Sequence, residues 1–320
     1  FEAGMSDYGQ TLEHFVLAKA FGVSQVIVAI SRIDYCRNFD QNRFELIKST
    51  LSRYIERIGY DPESIPFVPV SGDYGDNLTQ LSNRFPWYTG SPLLQVLENL
   101  EVPERYPEQP LRIPVKRVYT ITGLGTVITG KIEAGIVRPG MSVIFSPSGY
   151  TTQVVSIEKD RKPVEAGKPG EVVGIQVSNF DCRRGIERGW VICGLSERPV
   201  FETEKIIGKL VAMNLPGKIK RGSTPYLHCH TAHFPALIYA IRHTIDRSTG
   251  EVLKENPDFL SSGDCAIVEL VPMKPVYVEA FSAFPKLGRF VMQCHKKTIG
   301  VGTILSVISR DPGFNRVTSA

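Results

Sequence analysis

The chain has 320 residues, 42% hydrophobic and 22% charged, ordinary proportions for a folded globular protein and enough length for two or three domains. No apolar run approaches the ~18–20 residues that span a bilayer as a helix, so no membrane partner is expected. Six cysteines without a CxxC pair argue against a disulfide scaffold and for a reducing compartment, and no signal peptide opens the chain. The formal charge of +4 is spread unevenly: residues 1–108 carry −6, residues 109–199 carry +5 and residues 200–320 carry +5. An anionic partner is therefore expected on the last two-thirds. Phe1 to Gly4 reads as the interior of a domain, and a fragment is expected.

Thr11 to Phe21 has helical periodicity and stops at Gly22. The apolar run within Gln25–Ile30 suits a strand buried on both faces. From Asp40 to Ile58, Phe44, Ile47, Leu51, Tyr54, Ile55 and Ile58 recur at three- and four-residue steps, with Gly59 as C-cap. Ile65–Val70 reads as a second buried strand. Ser91-Pro92 reads as the start of a third helix, with Ser91 as N-cap. Alternating helices and strands predict a mostly parallel sheet, and a start on a helix suggests that earlier strands are lacking.

Around Pro103–Pro107 the pattern changes to a linker. Short alternating runs follow: Leu111-Ile113-Val115, Thr126–Ile132, Ser142–Phe145, Gln153–Ile157 and Val172–Val177. Turns every ten or so residues predict a small β-barrel or sandwich. A second shift near Glu197–Pro199 leads into Lys205–Met213, Thr224–His230, Cys265–Leu270 and Gly288–Ile304, read as a second β-domain.

Gly125–Ile132 fits the G-x-x-x-x-G-K part of a phosphate-binding loop, but Ile132 stands where Ser or Thr must hold magnesium. Its β-branched residues read as a β-ribbon. His228, Cys229, His230 and His233 count as metal ligands. In a strand, however, His228 and His230 face one way and Cys229 the other, so satisfied core or surface histidines are expected. Ser31–Asp34 and Ser71-Gly72 each follow a predicted strand, at the carboxyl edge where α/β sheets bind ligands. Asp34 can accept two hydrogen bonds from a base with adjacent N–H groups, and Arg32 can lie over a planar ring. Backbone N–H groups at Ser71-Gly72 can meet a carbonyl oxygen. These features suit a purine, and two ordinary strand-to-helix loops would read the same.

Longer strings carry a resemblance: FEAGMSDYGQTLEH at 1–14, IGYDPESIPFVPVSGDYGDN at 58–77, PWYTG at 86–90 and LRIPVKRVYTITGLGTVITGKIEAGIVRPGM at 111–141. HCHTAHFPALIYAI at 228–241, IDRSTGE at 245–251, FLSSGDCAIVELVP at 259–272 and FPKLGRF at 284–290 extend it. The sequence resembles the elongation factor 1-alpha family of translational GTPases, related to elongation factor Tu. The resemblance implies an α/β partial GTPase domain at 1–105, a parallel sheet with helices. Two antiparallel β-barrels would follow at 106–198 and 199–320. It also implies a cytoplasmic protein that delivers aminoacyl-tRNA to the ribosomal A site with GTP and magnesium. The ribosome and a guanine nucleotide exchange factor would be its partners.

By the same resemblance Ser31, Arg32 and Asp34 occupy the guanine motif Asn-Lys-x-Asp. Asp34 matches, whereas serine is shorter and lacks the carboxamide, and Arg32 can still stack. Ser71 and Gly72 match the second guanine loop, with Asp73 where the family usually has Trp. The phosphate loop, magnesium threonine and Asp-x-x-Gly motif would precede Phe1, so the chain alone is not expected to hydrolyse GTP. For tRNA, Arg188 matches an arginine near the aminoacylated 3′ end, with Arg183 and Arg184 close by. Gln293 to Lys297, including Lys296, match a stretch meeting the acceptor and T-stem backbone. Two alternatives remain: a release-factor or ribosome-rescue GTPase relative, and a nucleotide-defective paralogue acting as an interaction module, on cytoskeletal filaments among other partners.

Overall fold

The computed structural model describes residues 1–5, 10–35, 40–146, 148–178, 185–213, 215, 217–247, 249–295 and 297–310. The chain forms two compact units, Phe1–Pro103 and Glu104–Ala320.

In the first unit, α1 (Gln10–Ala20) buries Leu12, Val16 and Ala20, one residue per turn. A three-residue strand β1 (Val28–Ile30) precedes α2 (Gln41–Ile58). The Asp40 carboxylate accepts a 2.8 Å hydrogen bond from the Asn42 N–H and caps α2. Phe44, Ile47, Leu51 and Ile55 form its buried stripe, and Gly59 closes it in the left-handed region at φ 99°. Strand β2 (Phe67–Pro69) pairs parallel with β1, and α3 (Leu93–Glu98) follows. The core joins Ile30, Ile33, Phe67 and Phe85 to the α2 stripe, with Trp87 packed 5.1 Å from Phe44.

Three expectations need correction here. Parallel pairing among the described residues is confined to β1 and β2, each shorter than its apolar run. Gln25 is not part of β1, whose pairing with β2 covers only Val28–Ile30; its side chain instead makes two hydrogen bonds with the Glu101 backbone. Nor is β1 buried on both faces: Ala29 is exposed, whereas all three residues of β2 are buried. Ser91 is not the N-cap of α3; Pro92 is, without a side-chain cap. The first helical N–H groups instead reach the carbonyls of Asn77 and Leu78, so the preceding loop supplies the partners that a cap would have provided.

The second unit is all β. Its first half contains β3 (Ile113–Ile121), β4 (Gly125–Lys131), β5 (Ser142–Ser146), β6 (Tyr150–Lys159), β7 (Lys162–Pro163), β8 (Val172–Val177) and β9 (Val191–Gly194). The order β5-β9-β3-β4-β8-β6, with β6 also paired to β5, closes a ring, and β7 is added on β6. Gly125–Lys131 is therefore a barrel strand, with Ile128 and Ile132 buried in the core. The second half contains β10 (Glu202–Ala212), β11 (Ile219–Lys220), β12 (Tyr226–Cys229), β13 (Ala232–Ile245), β14 (Val252–Glu255), β15 (Phe259–Leu260), β16 (Cys265–Pro272), β17 (Arg289–Cys294) and β18 (Lys297–Arg310). Here β12-β17-β18-β10-β16-β13 closes on itself through β12–β13, with β14 added on β13. Closure pairs the ring strands on both sides, and among the described residues an outer edge remains only on the added strands β7 and β14 of these two sheets. The run Gly288–Ile304 is two strands, split by a turn in which His295 takes φ 48°.

Between the barrels, Ile144, Val191, Cys193, Val200, Tyr277, Phe284 and Leu287 form a separate apolar cluster. Arg112, 2% exposed, crosses it to Glu279 at 2.7 Å, donates to the Arg198 carbonyl at 2.9 Å and lies 4.5 Å from the Phe284 ring centroid.

Candidate guanine loops and candidate tRNA surface

In the first unit, register places Ile30 opposite Pro69, and the Val70 N–H bonds the Ile30 carbonyl at 2.9 Å. The loops that follow β1 and β2 therefore leave the same sheet end side by side. Ile33, 2% exposed, anchors the first loop while Ser31 and Arg32 face solvent, with Arg32 at φ 60°. Among the described residues no hydrogen bond or ion pair occupies the half-buried Asp34 carboxylate. Ser71 is fully buried; its N–H bonds the Asp76 carbonyl and its Oγ accepts from the Tyr74 N–H. Gly72 is exposed, and a side chain there would meet nothing within 4 Å. The fold itself thus sets no need for glycine, whereas close approach of a ligand to the backbone would.

Sequence reasoning missed what ties these loops together. The Tyr35 hydroxyl donates to the Asp73 carboxylate at 2.9 Å, bridging first loop to second and holding the tyrosine above its ordinary pKa. The Arg32 guanidinium lies 5.9 Å from the Tyr35 ring centroid. Under the second loop, buried Asn77 donates to the Pro69 carbonyl and accepts from the Ser82 N–H. Asp76 accepts from Ser82 Oγ at 2.6 Å and from Arg84 at 3.2 Å. No local spacing pairs Tyr35 with Asp73, which are 38 residues apart.

In the second unit, a turn at Arg188-Gly189 sends the Arg188 Nε to the Thr231 carbonyl at 2.9 Å, from the first barrel to the β12–β13 turn of the second. His228 and His233 face each other across that hairpin, with Nδ1 of one against Nδ1 of the other. Gln293 lies opposite Tyr226 on β17 and hydrogen-bonds His228. Partial burial lowers the pKa of both histidines; His228 and the Arg188 and Lys274 charges add to the fall for His233, to about 4. Arg188 and Gln293 are thus gathered around a neutral histidine pair. Lys297, opposite Cys294 at the start of β18, is exposed. Arg183, Arg184 and Lys296 lie outside the described residues.

The strand alternation expected for His228–His230 breaks at its end. β12 stops at Cys229, and His230 enters the turn at φ 42°, where its Nε2 pairs with the Tyr277 carbonyl at 2.9 Å. Cys229 faces the core, its thiol against the Leu287 carbonyl.

Three family models match in chain order. They are the elongation factor Tu GTP-binding domain over residues 2–101, elongation factor Tu domain 2 over 125–193, and a GTP-eEF1A C-terminal domain-like family over 205–305. The chain is 41% identical to elongation factor 1-alpha of Stylonychia lemnae, covering 97% of this chain and 70% of that protein. It is 40% identical to elongation factor 1-alpha of Aspergillus oryzae, covering 100% and 72%. A crystal structure of sup35 complexed with GMPPNP is 28% identical, with TM-score 0.60, over 97% of this chain and 76% of that chain. These matches define a translation GTPase. The chain belongs to the elongation factor 1-alpha family.

Proposed function

We propose that this protein acts with GTP to deliver aminoacyl-tRNA to the ribosomal A site, in the cytoplasm, and that a guanine nucleotide exchange factor reloads it. We divide it into the C-terminal part of a GTP-binding domain at 1–105, a translation-factor barrel at 106–198 and a last barrel at 199–320. Asp34 would read the guanine base, Arg32 would lie over it, Ser31 would border it, and Gly72 would offer its backbone N–H to the carbonyl oxygen, with Ser71 beneath it tied to Asp76 rather than reaching the base itself. The observation that carries this reading is an Asp34 carboxylate with no partner among the described residues and an open backbone at Gly72, on loops joined by Tyr35 and Asp73. Among the described residues no cluster of three His, Cys, Asp or Glu could hold a metal, and the chain has no G-x-x-x-x-G-K-[ST] run. These residues fit a base and not magnesium.

Arg188, bonded to the Thr231 carbonyl of the β12–β13 turn, and Gln293 on the neighbouring β17 support a surface for the 3′ end and acceptor stem, and the +5 charge of each barrel region supports an RNA partner. Arg183, Arg184, Lys296 and Lys297 complete the proposed contacts. A-form RNA hides its major groove, so contact rests on phosphates and 2′-hydroxyls and weakens as salt rises.

The test has two arms on the full chain. Filter binding of charged and uncharged tRNA against salt should give a falling log–log line. Arg188→Ala should weaken charged tRNA more, and Lys296→Ala with Lys297→Ala should weaken both alike. A flat salt dependence would remove the tRNA surface from the reading. In the second arm, Ser31→Asn with Arg32→Lys should sharpen guanosine over adenosine nucleotide binding, since a restored polar partner penalises the wrong base. An unchanged ratio in that arm would favour the second reading, an interaction module for filaments or other factors, which the Ser31 and Arg32 departures support.

A further inference from the structure

Four cysteines lie among the described residues. Cys193, Cys229 and Cys265 are buried, and burial raises the pKa of each of these thiols, which makes them poor nucleophiles. Cys294 differs. It ends β17 half-exposed, and the turn that follows holds His295 with its Nδ1 3.2 Å from Cys294 Sγ. A thiol and an imidazole within hydrogen-bond reach are the parts of an activated nucleophile. Next to them opens a cavity of about 600 Å³, lined by Leu215, Ile219, Pro225, Ile238 and Ile299 together with Cys294 and His295. Its volume falls in the range of small-molecule sites, and its wall is more apolar than polar, although Lys218, Tyr226 and Gln293 also line it.

We propose that Cys294 and His295 form a nucleophile–base pair at an apolar cavity that captures soft electrophiles with a hydrocarbon tail, specifically α,β-unsaturated ketones, by covalent addition. The ketone tail lies against Leu215, Ile219 and Ile299, which brings its alkene to the thiol. His295 Nδ1 takes the Cys294 proton. Sγ then bonds the β-carbon, the C=C π bond breaks, and its electron pair becomes an enolate. The imidazolium returns the proton to the α-carbon. The product is a thioether with one new S–C and one new C–H bond, and no oxidant or second reactant is consumed. The pair lies within the 293–297 stretch that the tRNA reading also uses, so adduct formation is measured on the chain free of nucleotide and tRNA, where its outcome is independent of that reading.

The full chain is treated with methyl vinyl ketone or with 3-decen-2-one, and adducts are followed by intact mass and peptide mapping. Rates are normalised to N-acetylcysteine with the same ketone. Cys294 should be labelled first, and Cys294→Ser should remove that adduct. The normalised rate should favour the long ketone by roughly tenfold or more, because the tail leaves water. His295→Gln should slow both ketones by roughly tenfold or more. Thr224→Trp, at an exposed rim position, should remove the long-chain advantage. Four results would overturn the proposal: first labelling at another cysteine, a Cys294 rate no greater than that of N-acetylcysteine, no response to His295→Gln, or a chain-length preference that is absent or insensitive to Thr224→Trp.

Discussion

The first unit builds its core around one long helix and two three-residue strands, whereas the second closes two rings of strands that run to 14 residues. In the rings the backbone is satisfied by neighbouring strands all the way round. In the first unit much of that duty falls to individual polar side chains: Asp40 at the start of α2, and Asn77, Asp76 and Ser82 beneath the second loop. The lesson is where each unit is vulnerable. Single polar groups decide the first unit, while the second is exposed mainly where its two barrels meet. The only two tryptophans, Trp87 and Trp190, fall one in each unit, so Trp190→Phe and Trp87→Phe backgrounds report the units separately.

The largest effect is expected at Arg112. Removing its side chain strands Glu279 and two backbone carbonyls at the seam between barrels. Arg112→Ala should cost about 3 kcal/mol, the lower part of the range for breaking a buried pair because Glu279 keeps some contact with water. Urea unfolding followed at Trp190 should shift while the Trp87 transition stays in place. An Arg112→Met, Glu279→Leu double variant should recover much of the loss. Movement of both transitions together would contradict the division of labour.

Asn77→Ala should act on the other side of the comparison. It leaves the Pro69 carbonyl and the Ser82 N–H unpaired in a fully buried place, which should cost about 2 kcal/mol in the Trp87 transition alone. Asp40→Ala removes a helix cap and should cost about 1 kcal/mol there, with Asp40→Asn recovering most of it.

The smallest effect concerns pH. His228 and His233 have folded pKa values below their unfolded values, His233 at about 4. Between pH 4 and 6.5 the unfolded chain binds more protons, so stability rises with pH across this window and is lost on acidification. Burial holds His230 of the same unit at about 4 as well, so replacing His228 and His233 by glutamine should reduce that slope at Trp190 without abolishing it, and should leave the Trp87 slope alone. An unchanged slope would show that the pair stays neutral for another reason.

Much of the architecture was legible because it is periodic. The α2 stripe and its Gly59 stop, and the alternation of strands such as Val172–Val177, depend on which residue meets the core every 3.6 or two steps. The two candidate loops at one sheet end were legible because Asp34 and Ser71-Gly72 sit just past apolar runs. The full extent of β1 and the cap of α3 were not legible, because β1 ends where its pairing with β2 ends and the α3 N–H groups are taken by Asn77 and Leu78. His230 left its strand alternation for the same kind of reason, a turn closed by distant Tyr277.

The order of elements, the charge contrast between the two units and the residue types at the loops proposed to read a base were determined by the sequence itself, since each depends on neighbours within a few positions. Tertiary structure alone decided which of those residues meet. Tyr35 reaches Asp73 across 38 residues, Arg188 reaches Thr231 across 43, and Arg112 reaches Glu279 across 167. Such pairs leave no periodic trace. Their partners are set by strand register and ring closure, which are properties of the whole folded chain.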